Sequence, residues 1–283
     1  MKRLMIVIAA VLIPTFAGAQ AQINTKKVKI EDFTQKVTKI VLTGNIFYDS
    51  TLEDEVTSHW RVSPYEFCTF QEFEQLKGNE DYYFLLTTKG QFKKESEPGL
   101  MFLTLVKGGP LAEKSINNML EIISLPTAAA EDPSGREMLF LPAFLTIIQN
   151  HALESMESDI TAYAGLHNFS LDLTETKGMR MIFAEDDLSS EIDKAVRKYN
   201  FDKDMHITDV DEADRHMSGN SHHAVVSYVA APSNAKPGSY CYKMLIDNST
   251  YQLYYFKKHR ITKNTGPGFL VEDIKRITSF RAK

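Results

Sequence analysis

The sequence predicts an α/β chain of the α+β kind, built from two tandem, related units with small mixed sheets joined by a long helix. Three observations carry this reading. Strand-period and helix-period stretches alternate along the chain, the pattern of residues 40–106 recurs over 180–246, and a helical stretch that is apolar on every side separates the two.

The recurrence lies in physical roles more than in identities. The apolar run Ile40, Val41, Leu42 and Thr43 meets Arg180, Met181, Ile182 and Phe183 at a shift of 140 residues, and both read as strands. Leu52, Val56 and Trp60 fall four apart on one helix face, and Ile192, Val196 and Tyr199 repeat that face. A second helix opens in each unit with a capping-box pair, Thr69 with Glu72 and Asp209 with Glu212. The turn signals Gly78-Asn79 and Gly219-Asn220 then lead into DYYFLL and AVVSYV, and Pro98-Gly99 and Pro237-Gly238 release MFLTLV and YCYKMLI. Two unrelated mixed units remain the alternative, because capping boxes and Pro-Gly pairs start many elements.

The remaining stretches fill the frame. Residues 20–39 are a polar lead-in that sets one edge strand or a short helix against the first unit. After Gly108-Gly109-Pro110, Leu111, Ile116, Met119, Leu120 and Ile123 give an irregular helical face, and 126–135 read as a loop. Residues 136–163 form the linking helix: MLFLPAFLTII is apolar all round, HALESMESDITAY is an exposed continuation with His151 at the surface or boundary, and Gly165 lies near the end. In the second unit SYCYKMLID, a turn at Asn248-Ser249 and YQLYYFKK form a β-hairpin, and FLVEDIKRI a short terminal helix or strand. The expected division is a leader at 1–19, a first unit at 20–125, a linking loop and helix at 126–178, and a second unit at 179–283.

The leader reading rests on Lys2 and Arg3, the apolar run LMIVIAAVLIPTFAG, and small residues at Ala17-Gly18-Ala19 or Ala19-Gln20-Ala21. That run is shorter than the roughly 20 apolar residues of a membrane span, and no later stretch reaches that length. The expected location is therefore the periplasm or beyond, with no transmembrane span once the leader is removed. The 283 residues carry 43% hydrophobic and 24% charged side chains and a formal charge of −5. Two ordinary cores fit that composition; an acidic chain does not suit nucleic acid as a partner.

Four groups of residues bear on chemistry. Residues 206–223 supply His206, His216, Asp211 and Asp214, which are ligand types for zinc or another divalent metal. Asp209 and Glu212 are better used on the free N–H groups of a helix start. Tyr254, Lys257, Lys258 and Arg260 could form a basic, aromatic ligand surface for an acidic envelope protein or polysaccharide, although strand alternation would bury half of them. Cys68 and Cys241 are compatible with a disulfide in an oxidising compartment, but their non-equivalent positions favour two separately buried thiols. No G-x-S-x-G, H-E-x-x-H, Walker-type or G-x-G-x-x-G pattern is present, and no cofactor is expected.

The leader, YDSTLEDEV, YEFCTFQEFE and YCYKMLID resemble exported proteins of Gram-negative gut-type bacteria to which no function is assigned. That resemblance implies location. With the duplication and the missing catalytic patterns, it leads to the expectation of a non-enzymatic binding or envelope-accessory protein. The alternative is a metal-assisted hydrolase using 206–223.

Overall fold

The computed structural model describes residues 15–17, 30–91, 95, 97–113, 116–157, 173–192, 197, 201–218 and 222–282. The first unit runs β1 (Thr15–Ala17), β2 (Val37–Val41), α1 (Ile46–His59), β3 (Tyr65–Cys68), α2 (Phe70–Leu76), β4 (Tyr82–Gln91), β5 (Leu100–Lys107), β6 (Leu120–Ala129), α3 (Arg136–Leu139) and α4 (Leu141–Glu157). Its sheet has the order β3-β2-β4-β5-β6. The second unit runs β7 (Arg180–Ala184), β8 (Met205–Thr208), α5 (Val210–Met217), β9 (Ala224–Ala230), β10 (Tyr240–Asp247), β11 (Leu253–Arg260) and α6 (Val271–Arg281). Its order, β8-β7-β9-β10-β11, is the same one. β2 and β7 are each parallel to both neighbours, and the last two strands of each order are added antiparallel, with β1 pairing separately with β4 in the first sheet. The chain is thus two related mixed α/β units.

Local chemistry explains the helix starts. Asn45 caps α1 by accepting from the N–H groups of Phe47 and Tyr48. Before it, Gly44 takes φ 84°, and the Asp49 carboxylate accepts from Thr43 N at 2.8 Å and Gly44 N at 2.7 Å. The Thr69–Glu72 capping box on α2 is complete in both directions. Asp209 accepts from Glu212 N at 2.8 Å, which fixes the start of α5.

Sheet register relates the units more closely than the sequence does. Val41 pairs with Cys68 in the first sheet and Ala184 with Thr208 in the second, so the leading strands align at a shift of 143 and the following caps at 140. The equivalence also continues further than expected. The hairpin β5–β6 answers β10–β11, and α4 answers α6.

The layers follow from alternation along the strands. Ile40, Tyr83 and Leu85 face α1 and α4, while Val41, Phe84 and Leu86 face Phe73 of α2. In the second sheet Ile182, Val226 and Met244 join the same central core as α4, and Met181, Phe183 and Val225 face Ile274 and Ile277 of α6. Helix α4 therefore lies between the sheets, with Phe140 and Phe144 ring centroids 4.5 and 5.3 Å from Tyr228. That position is why its sequence is apolar on every side.

Several expectations are corrected. Residues 111–123 are not a helix. Short 3-10 turns at Pro110–Glu113 and Ile116–Asn118 precede β6, which pairs with β5 and crosses the expected boundary at 125–126. The lead-in carries a short 3-10 helix at Phe33–Gln35 and the start of a central strand, not an edge strand, since β2 sits between β3 and β4. His151 is 2% exposed, because α4 is covered on both sides at that turn. FLVEDIKRI resolves as helix α6. The helix expected around Val196 and Tyr199, the end of the linking helix at 158–163, Gly165 and the Gly219-Asn220 turn lie outside the described residues. β1 lies inside the expected leader and pairs with Lys89–Gln91 of β4, so removal of the leader would take it away.

Candidate functional site

The seam between the units is closed at its centre by one arginine. Arg136, at the start of α3, donates from Nε to Asp214 Oδ1 at 2.8 Å and from Nη1 to Asp187 Oδ1 at 3.0 Å. Its guanidinium also lies 5.4 Å from the ring centroids of both Phe140 and Tyr228. Asp187 Oδ2 accepts from Ser227 Oγ at 2.6 Å. Burial pushes the Asp187 carboxyl up, with Arg136 opposing, while the two aspartates raise Arg136 against its own burial. This is a lock between halves, with its charges already satisfied.

Beside it, Leu139, Asp209, Asp211, Asp214, Arg215 and Ser218 line an open depression of about 450 Å³. Its acids already have structural work: Asp209 caps α5, Asp214 holds Arg136, and Asp211 sits in the first turn, where a negative charge complements the helix dipole.

A second depression opens on another rim of the seam, and both units build it. Its volume is about 190 Å³. Glu95, Glu97, Pro98 and Gly99 come from the β4–β5 connection, and Pro232, Ser233, Asn234, Lys236 and Ser239 from the β9–β10 connection, with Glu131 between. The two hairpins hold the same place in the two sheets. A hydrogen bond from Ser233 Oγ to the Glu131 carbonyl ties the β9–β10 connection to the segment after β6, and Gly99 comes close to that connection: a Cβ there would stand 2.9 Å from Pro232 Cγ.

The residues singled out in the sequence fall as follows. His206 is half-buried on β8, and His216 is buried at the end of α5, its pKa lowered by burial and then by Arg180. Asp211 is exposed and Asp214 is taken by Arg136. Among the described residues, no three His, Cys, Asp or Glu side chains are arranged to hold a metal ion. On β11, Lys257 and Lys258 point to opposite faces. Lys257 pairs with Glu272 at 2.8 Å and Asp273 at 3.0 Å, whereas Lys258 lies 5.5 Å from the Tyr240 ring centroid and is pulled down by burial. Tyr254 is buried and Arg260 exposed, so the four do not share one basic surface. Cys68 and Cys241 are separate, free and buried, and burial pushes their thiols up to about 11 and about 12.

Sequence reasoning missed the buried ion pair Lys243–Asp273. Both side chains are fully buried, and Asp273 also accepts from Tyr255 Oη at 2.6 Å and Leu270 N at 2.8 Å. A lysine in the middle of YCYKMLID was its signal. A cleft at the junction of the two units is what the repeat leads one to expect, but sequence reasoning singled out none of the residues that line the seam pocket as ligand-binding.

Comparison with family models, with curated proteins and with solved structures returns no match. No helix among the described residues is long and apolar enough to cross a membrane.

Proposed function

We propose that the protein is exported after removal of its leader and serves in the cell envelope as a non-enzymatic binding protein, derived by duplication of one α/β unit. Its ligand site is the pocket of about 190 Å³ on the seam. The observation that carries this reading is that equivalent hairpins of two units with the same strand order line one concave site. Ligand sites commonly sit where two such units meet. The Arg136 and Lys243 networks, by contrast, have their charges paired within the fold.

Two measurements test the reading. Mass spectrometry of the protein from the periplasmic fraction should give a mature start at residue 20 or 22. A photo-reactive side chain at Ser233 should capture an envelope component that the same group at Lys263, on a loop of the second unit outside the pocket lining, does not capture. Retention of the intact leader in the cytoplasm, or equal capture from both positions, would overturn the proposal.

A further inference from the structure

The chemistry of the seam pocket selects a ligand class, an inference that rests on the binding role proposed above. Among the described lining residues the acids Glu95, Glu97 and Glu131 stand with one cation, Lys236. The carboxylates of Glu97 and Glu131 make no ion pair or hydrogen bond to another described residue. Asp187 and Asp214 at the seam, by contrast, each hold Arg136.

A second observation comes from within the pocket. Ser239 is 4% exposed and lines it. Its backbone is fixed, with N–H donating to the Lys236 carbonyl at 3.0 Å and its carbonyl accepting from Ile261 N at 2.8 Å. Its hydroxyl makes no hydrogen bond to another described residue. The hydroxyl is not sealed in the core, so it can donate to or accept from a group that enters the pocket.

Among the described residues no three His, Cys, Asp or Glu side chains are arranged here to hold a metal ion. Pro98 and Pro232 contribute apolar surface to the lining. We infer that the seam pocket binds a primary alkylammonium group, with the methylenes against Pro98 and Pro232 and the ammonium donating to Ser239 Oγ and to Glu97 and Glu131. A free polyamine and a lysine side chain of a protein share this chemistry.

The test is a set of ¹H–¹⁵N titrations of the purified protein with n-butylammonium, spermidine and N-acetyl-lysine-methylamide, with n-butyrate and n-butanol as anionic and neutral controls. Saturable shifts of the Gly99, Ser233 and Ser239 amides with the three cations are expected. Glu97→Gln with Glu131→Gln should weaken n-butylammonium by about tenfold or more, as loss of a charged hydrogen bond implies. Ser239→Ala should weaken it several-fold, and Asp211→Asn should leave it unchanged. Tighter binding of spermidine assigns a free amine and tighter binding of the lysine derivative a protein side chain; both support the inference. Equal response to n-butyrate or n-butanol would overturn the ammonium assignment while sparing the seam as a binding site. No saturable response to any probe would overturn both.

Discussion

Lowering the pH from 7 to 5 should destabilise this protein through one histidine inside α4. His151 is 2% exposed, its Nε2 is 3.3 Å from Ser155 Oγ, and burial lowers its pKa from 6.5 to about 4. The folded pKa lies below the unfolded one, so between those values the unfolded chain binds the extra proton. Stability is therefore present above pH 6.5 and lost as the pH falls toward 4. The gap sets a ceiling of about 3 kcal/mol, of which about 2 kcal/mol is lost by pH 5. Carboxylates held low by partners, such as Asp247 and Asp273, lose stability in the same direction, so wild type alone does not isolate the effect. Urea melts of wild type and His151→Leu at both pH values do. The difference of differences should be about 2 kcal/mol, with the variant less acid-sensitive. A value under about 0.5 kcal/mol, the usual additivity error, would refute the burial argument.

Other substitutions probe the seam and the second unit. Arg136→Met leaves Asp187 and Asp214 facing a buried void of charge and should cost about 3–5 kcal/mol by denaturant melting, with Asp187→Asn recovering part in the double variant. Lys243→Met should be similarly costly because it strands Asp273, and Lys243→Met with Asp273→Leu should regain most of the loss; a double variant as unstable as the single would show that the pair itself is needed. Gly268 has φ 98°, and a Cβ there would meet Ser189 N at 2.7 Å, so Gly268→Ala should cost about 1–3 kcal/mol. Gly266 has nothing within 4 Å, and Gly266→Ala should stay within about 0.5 kcal/mol. Thiol reagents should find neither Cys68 nor Cys241 in the native protein and both after unfolding without reductant.

How far the sequence could be read depended on whether an element's partner was local. The Thr69–Glu72 box closes within four residues, and the hairpin of β10 and β11 closes around Asn248-Ser249; both were legible. β6 was not, because Leu111, Ile116, Met119, Leu120 and Ile123 fit neither period well, and the choice of strand was made by the hydrogen bonds offered by β5. Acidic residues 209–214 drew attention as possible ligands, yet the side chain that claims Asp214 is Arg136, 78 residues away. The basic run at 257–260 looked like one surface until strand alternation sent Lys257 toward α6 and Lys258 to the other face.

The sequence by itself showed an α/β pattern in both halves, the helix starts at Thr69 and Asp209 and the turn at Asn248-Ser249, because capping and turn chemistry act over a few residues. Only the tertiary structure decided that α4 is enclosed between two sheets, that Arg136 reaches across to Asp187, and that two hairpins meet in a pocket holding Ser239. These depend on which faces meet across the seam. Burial, charge pairing and concavity are set by neighbours far away in the chain, and no local pattern encodes them.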